Sequence, residues 1–243
     1  MRGLLLYLIN PSLVIRKRKY TNGMFSPFAT VIMQSIQCCQ WSLLAFSQRK
    51  TRQAFIVYSD IILLIFLMSS RTIFITGANR GIGFSILQGL ALRLPSDRYL
   101  LGARNEEQGR EAVSRLRDLG VEAEIHVIPL DVSSESSIKS AEQTIRTNHK
   151  TLDILINNIA IGRLDHSNIQ ETYYETFQTN VTGVALMMST FLPLLKETSL
   201  DPRIINISSA RGSLHLSTTG QLPLTTSISY CVSKSALNAL TIE

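Results

Sequence analysis

The chain has 243 residues, a length that fits one domain or one domain with an appendage, and its apolar fraction of 45% is ample for a core. Its formal charge of +6 sits in residues 1–67, which hold eight of the 24 basic residues and one of the 18 acidic ones. The remainder is nearly balanced and shows no nucleic-acid footprint. Three cysteines, Cys38, Cys39 and Cys231, make neither a disulfide framework nor metal-ligand spacing, so no metal is expected and a reduced, cytoplasmic setting is the simplest reading.

Residues 1–67 form a basic, apolar leader. Leu4 to Ile15 is apolar but short, contains Asn10-Pro11-Ser12, and precedes Arg16-Lys17-Arg18-Lys19. A second run, Ile61 to Met68, is shorter still, and Asp60 interrupts its extension back to Ala54. Neither reaches the roughly 20 residues that span a bilayer. Three readings compete: a signal anchor or membrane-surface segment, a mitochondrial presequence, or a segment that is disordered or outside the fold. The last is preferred, because the leader lacks a clear period or cap, and Met68-Ser69-Ser70 immediately precedes the first strand.

From Arg71 the chain alternates strands and helices. Arg71 to Ile75 reads as a buried strand, followed by Thr76-Gly77-Ala78-Asn79-Arg80-Gly81-Ile82-Gly83 and an apolar helical run from Phe84 to Leu92. A glycine-rich turn between strand and helix lets the backbone approach a pyrophosphate, which the helix N-terminus attracts. The second strand is Arg98 to Ala103, and a helix follows from Glu106 to Leu119 with Gly120 as its stop. The third strand runs from Glu124 to Leu130 and ends at Asp131-Val132. Ser133 and Ser134 then cap a helix reaching Asn148. The fourth strand is Leu152 to Asn157, a long helical region covers Tyr173 to Lys196, and the fifth strand is Arg203 to Ser208. Ala210 to Ser229 reads as a loop, and helix resumes near Ser229. Apolar strands separated by helices predict a Rossmann-like, doubly wound parallel α/β sheet over residues 68–243, with ligands bound beyond the carboxyl ends of the strands.

Chemistry concentrates in Tyr230-Cys231-Val232-Ser233-Lys234, which puts a phenol and an ammonium at i and i+4 on one helical face. A nearby cation stabilises phenolate, so Lys234 is expected to lower the Tyr230 pKa and suit it to proton transfer. With Thr76-Gly77-x-x-x-Gly81-x-Gly83, Asp131-Val132, Asn157-Asn158, Asn180 and Ser208-Ser209, this pair makes the chain resemble the classical short-chain dehydrogenase/reductase family from Ser70 onward. The phrasing of its motifs is most similar to carbonyl reductase and sniffer or C-factor-like members.

The resemblance implies an oxidoreductase that transfers hydride between a nicotinamide cofactor and a carbonyl or alcohol substrate. Tyr230 would be the general acid/base, and Lys234 would hold the nicotinamide ribose and lower the tyrosine pKa. Ser209 would orient the carbonyl, Asn180 would support a proton-relay water, and Asp131 and Val132 would contact the adenine. Thr76, Gly77, Asn79, Arg80, Gly81, Ile82, Gly83 and Asn157 complete the expected cofactor set. The second strand ends in Ala103-Arg104-Asn105, without the acid that binds a ribose 2′-hydroxyl. Arg104 and Arg80 instead suit a 2′-phosphate, so NADP(H) is the expected cofactor. A homo-oligomer is compatible with this reading.

Two departures from the family pattern stand out. Asn157-Asn158-Ile159-Ala160 replaces Asn-Asn-Ala-Gly, which is expected to crowd the backbone near the cofactor. The sequence stops at Glu243, where family members continue with more helix and two further strands. An incomplete domain with an unpaired sheet edge and weak activity is therefore expected. An inactive cofactor-binding homologue and a membrane-tethered reductase are the alternatives.

Overall fold

Runs of β-branched and aromatic residues bounded by glycine turns and capped helices produce an alternating α/β architecture in a computed structural model. It describes residues 5–9 (as backbone), 70–162, 167–223, 225 and 227–242. The strands are β1 (Leu5–Ile9), β2 (Thr72–Thr76), β3 (Arg98–Ala103), β4 (Glu124–Pro129), β5 (Ile154–Asn157) and β6 (Arg203–Ile207). The helices are α1 (Gly81–Arg93), α2 (Glu106–Asp118), α3 (Glu135–Asn148), α4 (Ile169–Phe177), α5 (Gly183–Thr198), α6 (Leu214–Thr218) and α7 (Ile228–Ile242). All strand pairs are parallel, in the order β1-β6-β5-β2-β3-β4.

The core has two layers because side chains alternate across the pleat. Ile73 and Ile75 of β2 pack with Leu87 and Ala91 of α1 and with Ala112 and Leu116 of α2. Phe74, between them, turns to the other face and joins Ile138 and Ile145 of α3 with Met187, Phe191 and Leu194 of α5. Its ring lies 5.5 Å from that of Phe191. Two carboxylates secure the lower ends of the strands. Asp97 accepts from the Arg71 backbone and guanidinium, while Asp153 accepts from Thr72 N and Ser199 Oγ.

The helices start where the sequence supplies caps: Asn105, Ser134 and Asn168 each accept a backbone N–H three residues on. Four expectations need correction. The fourth strand begins at Ile154 rather than Leu152, since Asp153 is engaged with Thr72. The long helical region divides into α4, a π-turn at Gln178–Thr182 and α5, the π-turn accommodating the inward-pointing Asn180. The loop after β6 contains a 3₁₀ turn at Ala210–Gly212 and the short helix α6, capped by Ser209 and Ser213. The outer edge of β6, expected to be unpaired, is paired by Leu5–Ile9, with Leu5 opposite Arg203 and Ile9 opposite Ile207. That leader segment, expected outside the fold, supplies a run compatible with strand pairing; the rest of the leader, with Cys38 and Cys39, lies outside the described residues, as does His166. Among the described residues no helix is long and apolar enough to cross a membrane.

Helix α5 approaches the end of β4 so closely that a Cβ on Gly183 would sit 2.4 Å from the Val132 carbonyl oxygen. Gly183→Ala should therefore cost about 1–3 kcal/mol, an overpacking penalty against backbone that cannot retreat. Gly89→Ala, whose new methyl would meet only the flexible end of Arg93 at 3.2 Å, should instead be stabilising by about 0.5–1 kcal/mol. Urea denaturation midpoints check both, and equal shifts would show that the α5–β4 contact yields freely.

Candidate active site

The carboxyl ends of β2, β3, β4, β5 and β6 open onto a cleft of about 1090 Å³. Its floor is built by two loops that hold one another. Thr76, the last residue of β2, is fully buried, and its hydroxyl oxygen accepts the backbone N–H groups of Asn158 and Ile159 at 3.0 and 3.1 Å. In return the Asn158 carboxamide donates to the Thr76 and Gly77 carbonyls at 2.9 and 3.3 Å. A Cβ on Gly83 would fall 2.4 Å from that carboxamide, so the first turn of α1 needs glycine there. Gly77 adopts φ +64° and faces Ile159, whose Cβ would stand 3.3 Å from a Cβ at that position. Ile159 thus fills space that Gly77 leaves, and Ala160 keeps an ordinary negative φ; the expected crowding is absorbed without backbone strain.

Helix α2 steadies the glycine-rich loop from outside. Arg115 donates to the Asn79 carbonyl at 2.7 Å with its guanidinium 4.8 Å from the Phe84 ring centroid, and Asn79 donates to Gln108. Gln108 and Arg115 were not legible as site residues, because only the packing of α2 brings them to the loop. Arg80 and Arg104 stand exposed on the cleft wall. Neither makes a salt bridge to a carboxylate among the described residues. Asp131 also lines the cleft and accepts from Ser133 N and Oγ, a turn that leads into α3.

Helix α7 carries the reactive pair. Tyr230 is half-buried, lines the cleft, and packs its ring against Gly162. Lys234, one turn on, is 2% exposed, and its ammonium donates to the Ile207 carbonyl at 2.8 Å, 5.7 Å from the Tyr230 ring centroid. Burial alone lowers its pKa from 10.5 to about 8.

The expected residues divide into two groups. Gly77, Asn79, Arg80, Gly81, Ile82, Arg104, Asp131, Val132, Tyr230 and Lys234 line the cleft. Thr76, Gly83, Asn157, Asn180 and Ser209 stand behind the lining and act on it through hydrogen bonds or packing. Asn157 is buried at the β5–β6 junction and donates to Asn206 Oδ1 at 2.9 Å. Asn180 is fully buried; its carboxamide accepts from Ile161 N and donates to Ile161 O, and it also donates to Ser233 Oγ. It therefore clamps the loop after β5 to α7. Ser208 lines the cleft, whereas Ser209 caps the 3₁₀ turn by accepting from Arg211 N. The described residues contain no cluster of metal-binding side chains.

A family model described as short chain dehydrogenase matches residues 71–243. A short-chain dehydrogenase/reductase of Aspergillus fumigatus is 38% identical over 151 residues, covering 60% of this chain and 57% of the relative. Carbonyl reductase [NADPH] 3 of Rattus norvegicus is 33% identical over 145 residues, covering 59% and 50%. The chain thus spans about half the length of the curated relatives it matches. A crystal structure of NADPH-bound carbonyl reductase from chicken fatty liver aligns with TM-score 0.61 and 31% identity, over 70% of this chain and 71% of that one.

Holding Lys234 charged and buried destabilises the fold. With a folded pKa of about 8 below the reference 10.5, the cost is full below pH 8 and fades as pH rises to 10.5. Lys234→Met should thus raise stability at pH 7 by about 1–2 kcal/mol, the relief of charge burial less the lost hydrogen bond to Ile207. Urea titrations at pH 7 and pH 10.5 test this: the advantage should vanish at the higher pH.

Proposed function

The chain belongs to the short-chain dehydrogenase family, and on that premise we propose that it is an oxidoreductase transferring hydride between NADP(H) and a carbonyl or alcohol substrate. The observation that carries this reading is the meeting, in one cleft, of Tyr230 and the buried Lys234 with a glycine-rich strand–helix corner. The residues present fit the cofactor. Gly77 and Gly81, both at positive φ and both lining the cleft, leave the corner's backbone uncovered there, and the N-terminus of α1 offers N–H groups to a pyrophosphate. Arg80 and Arg104 offer guanidinium groups to a 2′-phosphate, at a strand end that carries no acid.

When bound, NADPH supplies the hydride. Tyr230 gives its phenolic proton to the carbonyl oxygen as the carbonyl carbon is reduced, yielding the alcohol. Lys234, fixed by Ile207, presents its remaining N–H donors to ribose hydroxyls and places positive charge beside the phenol. Asn180 keeps the Ile161–Gly162 segment beside the Tyr230 ring, which bounds one side of the phenol's position. Ser209 would act from behind the lining, through the turn that it caps, and Asp131 with Val132 would bound the adenine end.

Fluorescence titration should show NADPH binding more tightly than NADH. Arg104→Asp should weaken NADPH about tenfold or more, as expected for loss of a charge-assisted contact, and narrow the difference. Equal affinities in the unmodified chain would remove the role of the arginines.

Tyr230→Phe removes only the transferable proton. It should lower kcat for a carbonyl probe such as menadione by about 100-fold or more while leaving NADPH affinity within about twofold. Turnover near that of the unmodified chain would exclude Tyr230 as the proton donor.

A further inference from the structure

Helices α2, α3 and α4 each begin on a side-chain cap, but α1 does not. Arg80 holds its N-cap position in extended backbone, makes no capping hydrogen bond, and the first turn carries no acid. The N–H groups there are left to a ligand, and the turn is left without support of its own. Arg80, Gly81 and Ile82 are exposed. Among the described residues, no atom lies within 4 Å of the place a Cβ on Gly81 would take. Either side of this stretch is anchored. Gly77 N and Ala78 N donate to the Gly102 carbonyl at 2.8 and 3.3 Å, and Gly83 and Leu87 are buried.

The span between these anchors is held by α2. Arg115 donates from Nη2 to the Asn79 carbonyl at 2.7 Å, and its guanidinium carbon stands 4.8 Å from the Phe84 ring centroid. Asn79 and Phe84 bracket residues 80–83, so one planar group grips both sides of the turn. Phe84 packs in turn against the core cluster that holds Ile73, Leu87 and Ala91, which gives the grip a fixed base. Gln108, two turns earlier on the same face of α2, accepts from Asn79 Nδ2 at 3.4 Å. A guanidinium suits this task, because it donates in its own plane while its face stacks on a ring. Arg115 itself does not line the cleft, so it acts on a ligand there through the loop.

We propose that Arg115 is a positioning residue that pre-organises the turn at residues 80–83 for a dinucleotide pyrophosphate, by clamping Asn79 and Phe84 from outside the cleft. The proposal rests on the cofactor reading above. It also separates Arg115 from Arg80 and Arg104. Those two address the 2′-phosphate and so distinguish NADPH from NADH, whereas Arg115 acts on a part of the ligand that both share.

The experiment compares Arg115→Ala, Arg115→Lys, Phe84→Leu and the Phe84→Leu/Arg115→Ala double variant with the unmodified full chain. Fluorescence titration reads NADPH and NADH affinity, urea midpoints read stability, and menadione reduction reads the NADPH KM and kcat. Amide hydrogen exchange is followed over residues 79–84, with 203–207 as internal reference. Arg115→Ala should weaken NADPH and NADH by the same factor, about five- to tenfold, because the turn must then be ordered on binding. With menadione the loss should fall in the NADPH KM and not in kcat. Exchange over 79–84 should be faster in the free variant and return to that of the unmodified chain at saturating NADPH. Arg115→Lys keeps the charge but not the planar stack, so it should recover only a minor part of the affinity. The double variant should lose no more than Arg115→Ala alone, since the ring contact is already gone. A loss confined to NADPH would make Arg115 a ligand of the 2′-phosphate and overturn the proposal. Full recovery in Arg115→Lys, or unchanged affinities in Arg115→Ala whatever its urea midpoint, would overturn it as well. If the unmodified chain binds neither nucleotide, the cofactor reading fails, and hydrogen exchange alone decides the clamp. Faster exchange over 79–84 with 203–207 unchanged upholds the clamp; unchanged exchange over 79–84 overturns it.

Discussion

The reciprocal clasp between Thr76 and Asn158 is the constraint on which the cleft depends. A parallel sheet leaves the carboxyl ends of its strands as separate loops, each with backbone groups needing partners. Here one buried hydroxyl takes two N–H groups from the opposite loop, and one carboxamide takes two carbonyls in return. The β2 and β5 loops therefore share a single geometry. Everything built on them inherits it: the φ of Gly77, the close approach of α1 at Gly83, and the seat of Ile159. Replacing small residues by Ile159-Ala160 is tolerated because the opposing residue is a glycine.

The second organising element is α7, which meets the sheet through a charge. Burying an ammonium is expensive, and Lys234 is compensated chiefly by one carbonyl, so its pKa falls to about 8. Such a group is a poor choice for stability and a useful one for holding a donor rigidly next to a phenol. The same helix grips the β5 loop through Ser233 and Asn180, and the β6 loop through Asn238. Two loops from two strands are thus referred to one rigid rod, which limits how far Tyr230 can drift from the wall it faces.

Electrostatics divide the cleft along its length. Arg80 and Arg104 present positive charge at the glycine-loop end, while the Lys234 charge lies buried near Tyr230. Asp131, beyond the end of β4, is occupied with Ser133, so its carboxylate serves the turn into α3 as well as the cleft surface. An anionic, elongated ligand would meet attraction at one end and a proton donor at the other.

The sequence by itself determined the alternation of strands and helices, the glycine-rich corner, the Tyr230/Lys234 stripe and the missing acid after Ala103. All are local: period-2 and period-3.6 patterns, cap residues, and i,i+4 spacing carry them without reference to distant residues. It did not determine which expected residues reach the cleft. Thr76, Asn157 and Asn180 are polar residues at strand ends or on a helix, and only the partners supplied by β5, β6 and the loop at Ile161 turn them inward. Arg115, Gln108, Asn158 and Asn238 acquired their roles the same way, through contacts 26 to 82 residues away in the chain. The pairing of Leu5–Ile9 with β6 was equally hidden, because strand pairing depends on which backbone edge lies within reach rather than on the short apolar run itself. Local pattern decides the elements; long-range hydrogen bonding decides which of their side chains face the cleft.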